Sequence, residues 1–331
     1  MKNYLNFTIK ARNFVPYFFY IIILSIAAEV ITLALGFSEF DFMTEINGSY
    51  LLSLVGLGVL NSVILTGVLL LFFPMVANSI NTTNYKEQSF ETDLDMKEWV
   101  KVVAKGAILS VITFGIYTPW FMASVVRYFI DGTFHGFNRL TFRGKGGRLF
   151  ALSVLVLLLP LLISLTFLFL GSGFVASDES MGVGVLLTVV AVLVMMVAFT
   201  FYQIYYFKWC LDLTYGNRRV VLGCRPSAIF WTVFGEMMLA VLTLGIYLPM
   251  AVLRIYRAVA REVVVGDKMI DARCGMSLRP WNDWAYTWGQ LLLSVLTLGI
   301  YYPWAIVRLL RRFGSRIYFR TIDKPTETMP E

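Results

Sequence analysis

Apolar residues fall along this chain in long runs separated by short polar stretches, and the lengths of those runs decide the first reading. A bilayer core about 30 Å thick is crossed by roughly 20 apolar residues in a helix. Seven stretches are that long. Four are simple runs: Phe14–Leu35, Tyr50–Ala77, Phe150–Phe174 and Val183–Phe207. The other three, around 106–126, 229–253 and 284–307, share an internal repeat. Its copies are Thr113-Phe114-Gly115-Ile116-Tyr117-Thr118-Pro119-Trp120, Thr243-Leu244-Gly245-Ile246-Tyr247-Leu248-Pro249-Met250, and Thr297-Leu298-Gly299-Ile300-Tyr301-Tyr302-Pro303-Trp304. With the glycines aligned, an arginine stands twelve residues further on in every copy, at Arg127, Arg257 and Arg311.

The motif T-x-G-I-Y-x-P predicts a broken helix at Gly115–Pro119, Gly245–Pro249 and Gly299–Pro303. Glycine weakens a helix, proline lacks an N–H, and the residue before proline is pushed towards extended backbone. Such a break either turns the chain between helices within the membrane or ends a helix at headgroup level, where Tyr and Trp prefer to sit. Basic residues separate two topologies. Seven crossings split them 13 against 15 between the two sides, contrary to the positive-inside rule. If each repeat enters, turns and returns, all 28 fall on one side. The two outer connections, Gly36–Ser49 and Gly171–Gly182, then hold acids and no Lys or Arg. The expected fold is an all-α integral membrane protein with four spanning helices plus the three broken-helix repeats, re-entrant or spanning, and both termini cytoplasmic. Its parts are an N-terminal helix pair (1–79), repeat 1 (80–150), a helix pair (151–225), repeat 2 (226–282), and repeat 3 with a basic tail (283–331).

Composition agrees with lipid as the solvent: 58% of the 331 residues are hydrophobic and 15% charged, against about 45–50% and about 25% in soluble domains. No hydrophilic stretch is long enough for a separate soluble domain, so residues 1–331 read as one membrane-embedded unit. The net charge of +7 is distributed as flanks of apolar runs, which argues for a membrane surface and against nucleic acid. Cys210, Cys224 and Cys274 form neither a CxxC pair nor an even set, so no metal site or disulfide framework is expected. The first run is too long for a signal-peptide core and ends without an A-x-A site, so it reads as a retained helix.

The repeated T-[LF]-G-I-Y-x-P-W followed by a basic helix resembles the YjgN-like proteins, a bacterial inner-membrane family of unknown function. The best-matching stretch runs from Phe114 to Phe150, through Gly115, Tyr117, Pro119, Trp120, Arg127, Tyr128, Thr133, Gly136, Phe142 and Gly144. Met250 departs from the pattern where the other copies have tryptophan. The resemblance implies an inner-membrane protein and lends no activity.

Catalytic chemistry is scarce. The single histidine, His135, sits in a basic polar stretch and reads as a surface residue. Gly144-Lys145-Gly146-Gly147 lacks the Walker spacing and reads as a turn before the next run. Neither an enzyme nor a cofactor is expected. Ionisable groups within apolar runs are expensive and therefore candidates: Glu29 in the first helix, Glu236 in repeat 2, Gln290 at the same place in repeat 3, and Lys105 near it in repeat 1. They line a binding cavity or, as with Glu29 and Lys105, form a structural pair. Arg254, Arg257 and Arg261, and Arg308, Arg311, Arg312 and Arg316, each follow one helical face. With Arg127 they suit anionic phospholipid headgroups or serve as ordinary positive-inside flanks. Two functions follow: binding or transport of a lipid or other amphiphile in a cavity formed by the repeats, or a scaffold that binds anionic lipid and a partner complex. Homo-oligomerisation is open.

Overall fold

A computed structural model describes residues 2–34, 48–176, 180–266 and 272–321. The expected outer connection Gly36–Ser49 lies largely outside the described residues, as do Asp178 and Glu179 and the tail beyond Thr321.

The all-α expectation is corrected. Among the described residues ten short strands hydrogen-bond in the order β1–β10–β9–β8–β7–β6–β5–β4–β3–β2 and close as a barrel. They are β1 (Lys2–Phe7), β2 (Thr83–Tyr85), β3 (Gln88–Thr92), β4 (Thr133–His135), β5 (Asn138–Phe142), β6 (Leu213–Tyr215), β7 (Arg218–Leu222), β8 (Val263–Gly266), β9 (Ala272–Met276) and β10 (Ile317–Thr321). Most lie in polar stretches between apolar runs, and all are too short for a hydropathy reading to register, including the apolar Val263-Val264-Val265 of β8. Two-residue turns that need left-handed backbone make the hairpins: Lys86 and Glu87 have φ of 50° and 66°, and Gly136 and Gly216 have 58° and 55°.

Helices alternate with these strands. They are α1 (Val15–Ala34), α2 (Gly48–Asn81), α3 (Met96–Ile112), α4 (Thr118–Asp131), α5 (Gly146–Leu152), α6 (Leu159–Ala176), α7 (Met181–Cys210), α8 (Pro226–Leu242), α9 (Leu248–Arg261), α10 (Pro280–Leu296) and α11 (Tyr302–Gly314). Between α5 and α6, Ser153–Leu158 is π-helical. The widened turn precedes Pro160, which cannot donate to Val156 and whose ring would crowd that carbonyl in a regular helix. Among the described residues, four helical stretches are long and apolar enough to cross a membrane: Ala11–Thr32, Gly58–Asn81, Gly146–Val175 and Met181–Cys210.

Two compact units divide the chain. The first comprises Met1–Leu5, Thr141–Leu292 and Ser315–Glu331. Within it β6 to β10 and β1 are antiparallel, with Val220 opposite Leu213, Val221 opposite Val264, Cys274 opposite Phe319, and Tyr4 opposite Tyr318. Its core joins Ile204 of α7, Leu222 of β7, Ile229 and Val233 of α8, Ile255 and Val259 of α9, and Val263 of β8. The second comprises Asn6–Leu140 and Leu293–Gly314. There α2, α3 and α4 enclose Trp99, Val103, Phe121 and Phe129, and Trp99 Nε1 donates to the Leu69 carbonyl at 3.2 Å. A smaller cluster of Ile9, Phe14, Met75 and Val307 lies in the same unit. Asp95 starts α3 by accepting from Lys97 N–H at 3.0 Å.

Candidate functional site

In each repeat the chain ends one helix, turns over five residues and starts another. The glycine does not act alone. Phe114, Leu244 and Leu298 stand at φ of 49°, 50° and 49°, left-handed backbone that side chains with a Cβ resist, and Gly115, Gly245 and Gly299 follow at 85°, 85° and 88°. Gly115 N–H reaches back to Ser110 O at 2.7 Å and Phe114 N–H to Val111 O at 3.1 Å, the paired bonds of a Schellman cap. The other copies repeat them, Gly245 to Ala240 and Gly299 to Ser294. The motif threonine closes the turn: Thr113, Thr243 and Thr297 Oγ1 accept from Tyr117, Tyr247 and Tyr301 N–H at 3.0, 3.1 and 3.0 Å. Pro119, Pro249 and Pro303 occupy the first turn of the returning helix, where the missing N–H costs nothing. Proline therefore begins the second arm; it does not break the first.

These turns put bulky apolar residues at their tips. Phe114, Leu244 and Leu298 are 90%, 93% and 93% exposed, and Ile116, Ile246 and Ile300 are exposed beside them. A strained backbone that presents a large apolar side chain outward, three times, is an outlier that water does not reward.

The polar candidates sit further along the arms. Glu236 on α8 accepts from Tyr247 Oη at 2.7 Å and from Arg254 at 3.2 Å, and the Arg254 guanidinium lies 5.7 Å over the Tyr247 ring. It clamps the two arms of its own repeat. In the third copy Arg308 donates to Tyr301 Oη and lies 5.5 Å over its ring, and Gln290 is buried. Strict alignment puts Gly106, not Lys105, at this position in the first copy. A Cβ on Gly106 would lie 1.9 Å from Phe121 Cδ2, so Phe121 fills the place that the carboxylate takes in repeat 2. Ala251 and Ala305 occupy the Phe121 position in the other copies, which leaves room for the longer polar chain. Lys105 is exposed on α3.

Glu29 lies on an exposed part of α1, and among the described residues no ion pair joins it to Lys105. The arginines are more engaged than their spacing suggests. Arg316 pairs with Asp283, Arg311 donates to the Ile9 carbonyl, and Arg254 and Arg308 serve the tyrosines just described. Arg257 has its Nε buried without a hydrogen bond, Arg127 and Arg312 both have partners, and Arg261 is exposed. His135 is corrected: it is buried in β4, packed 4.7 Å from the Phe90 ring, with Nε2 3.0 Å from the Tyr85 carbonyl. Sequence reading missed Asp283, fully buried at the start of α10, which also accepts from Arg279 N–H at 2.7 Å. Cys224 and Cys274 are unpaired thiols, and burial raises both pKa values, that of Cys274 to about 11. Among the described residues no three His, Cys, Asp or Glu gather as metal ligands.

A groove of about 490 Å³ lies in the first unit, walled by Leu155, Val156 and Pro160 on one side and by Leu193, Val197 and Phe201 on α7 on the other, with Tyr205 at one end. Its lining is almost wholly apolar.

Short antiparallel strands set between helical pairs, with four helices of membrane-crossing length, define a mixed helix-and-strand protein whose helical surface is built for an apolar solvent. The chain belongs to DUF898, a family of bacterial proteins of unknown function, whose model matches residues 14–273. This is the family that the repeat motif resembles. No curated protein and no solved structure matches the chain.

Proposed function

We propose that the chain is a non-enzymatic, lipid-binding protein of the bacterial inner membrane, crossed by its four long helices and entered by each repeat, with both termini in the cytoplasm. The carrying observation is the set of tips: Phe114, Leu244 and Leu298, each over 89% exposed on left-handed backbone. Depth follows from spacing. Of the return arms only Leu248–Arg254 and Tyr302–Arg308 are helical, six residues or about 9 Å of rise, and the eight residues from Glu236 to Leu244 give at most about 12 Å, roughly a third of a hydrocarbon core about 30 Å thick. On the entering arms Lys105, Glu236 and Gln290 stand nine, eight and eight residues before their tips. In repeats 2 and 3 the polar groups of both arms thus mark one level, and no Asp, Glu, Lys or Arg lies beyond it; in repeat 1 the first cation of the returning arm, Arg127, stands three residues further from the tip. Each hairpin is long enough to enter one leaflet and too short to cross the bilayer before its charges meet the interface. Arginines at that level suit the phosphates of anionic lipid.

Cysteines introduced singly at Lys97 and Phe137, exposed before and after the first repeat, test the entry. Labelling with a membrane-impermeant thiol reagent in sealed, oriented vesicles gives both positions from one side if the repeat returns. Opposite sidedness would mean that it crosses, and would defeat the proposal.

A further inference from the structure

The groove along α7 is the strongest feature that the hairpins leave unexplained, and we infer that it seats one acyl chain of an anionic phospholipid. This rests on the lipid-binding reading above and names the site. Both walls belong to stretches long enough to cross a membrane, Gly146–Val175 and Met181–Cys210, so what fills the groove in a bilayer is hydrocarbon. The π-helical turn at Ser153–Leu158 opens one wall, and such turns recur where helices bind ligands. From Leu193 to Tyr205 is twelve residues of α7, or about 18 Å of helix, a slot for a chain laid along the helix.

The two ends of the groove differ. Beyond Tyr205, one turn along α7, Lys208 is exposed and makes no ion pair among the described residues. Trp209 Nε1 donates to the Lys145 carbonyl at 3.1 Å, which pins the end of α7 to the start of α5 and puts Arg148 at the same end. Arg148 already faces Asp212, which also holds Arg219, whereas Lys208, on the helix that walls the groove, is available for a phosphate, with exposed Arg143 and Lys145 near the same end. Tyr205 followed by the exposed Lys208 at one mouth, and apolar side chains along the rest of the groove, matches the polarity of an anionic lipid entered tail first.

The test uses the full chain in nanodiscs that contain phosphatidylglycerol or phosphatidylcholine, each with a photoreactive diazirine on one acyl chain, and maps the labelled peptides. Phosphatidylglycerol labelling is expected to concentrate on 155–160 and 193–205. Val197→Trp, which fills the groove, should reduce it at least tenfold, whereas Leu165→Trp on the exposed face of α6 should not. Lys208→Gln should reduce the preference for phosphatidylglycerol and leave labelling by phosphatidylcholine unchanged, and an unaltered preference would remove Lys208 from the site. Even labelling of all four long helices, indifferent to Val197→Trp, would overturn the site and identify annular lipid only. Thiol sidedness at Lys97 and Phe137 reads the hairpin proposal separately, so the two fail independently.

Discussion

Leu298→Asn separates a tip in water from a tip in lipid, because the two surroundings give the change opposite signs. Leu298 is held at φ of 49° and is 93% exposed in the protein alone. Left-handed backbone costs an ordinary residue about 1–2 kcal/mol, and asparagine tolerates it far better. In water nothing is lost to offset that relief, so the variant should gain up to about 1 kcal/mol. In lipid the side chain loses about 1.5–3 kcal/mol of apolar burial, and its amide costs about 1–3 kcal/mol without partners. The net is then destabilising by about 2 kcal/mol, or roughly 30-fold in a local opening equilibrium. Amide hydrogen exchange in nanodiscs reads this on α10 and α11, where exchange should be faster in the variant. Unchanged or slower exchange would refute the insertion of this tip.

Three further outcomes follow from single contacts. Thr243→Ala removes the acceptor for Tyr247 N–H, and losing a cap of this kind should lower the melting temperature in detergent through about 1 kcal/mol, with Thr243→Ser restoring it. Asp283→Ala leaves Arg316 without its buried carboxylate and should cost about 3–5 kcal/mol, seen as loss of folded protein on size-exclusion chromatography, while a surface change such as Lys97→Ala should not. Burial raises Cys274 to about 11 from a usual value of 9.0, so at pH 8 its thiolate is about 100-fold scarcer and alkylation slower by that factor. The sign for stability agrees: the neutral thiol is favoured on folding, so this contribution is complete below about 9 and fades as pH rises through about 11. Alkylation followed by mass spectrometry across pH 7–11 checks it.

What the sequence disclosed and what it hid have distinct physical causes. The four long runs announce themselves because a crossing helix must be apolar over its whole length, and the repeats because Thr, Gly, Tyr and Pro each close part of one turn. The strands stay hidden because their bonds run between segments far apart in the chain. A second repeat was nevertheless present: Thr83-Asn84-Tyr85, Thr133-Phe134-His135 and Leu213-Thr214-Tyr215 each open a ten-residue hairpin, and Gly136 and Gly216 mark the turns of two. Read as loops, these stretches gave the all-α expectation and left His135 on the surface. Glu236 was visible as a costly carboxylate, but its partners Tyr247 and Arg254 become neighbours only once the arm folds back. The tips were hidden differently, since Phe114, Leu244 and Leu298 look like any apolar residue until the backbone turns them outward. The groove depends on a π-helical turn and a facing helix, and Pro160 was its one mark in the sequence.

Whether the repeats enter the bilayer is measured most directly at Leu244. A nitroxide attached to Leu244→Cys, in a chain whose three native cysteines are replaced by alanine, reports depth from the ratio of its collision rates with oxygen and with a water-soluble nickel chelate. The expected position is about 9–12 Å below the level of Arg254, with strong oxygen and weak nickel contact, and a label at Arg261→Cys should show the reverse. Equal nickel contact at both positions would place the tip in water and contradict the account.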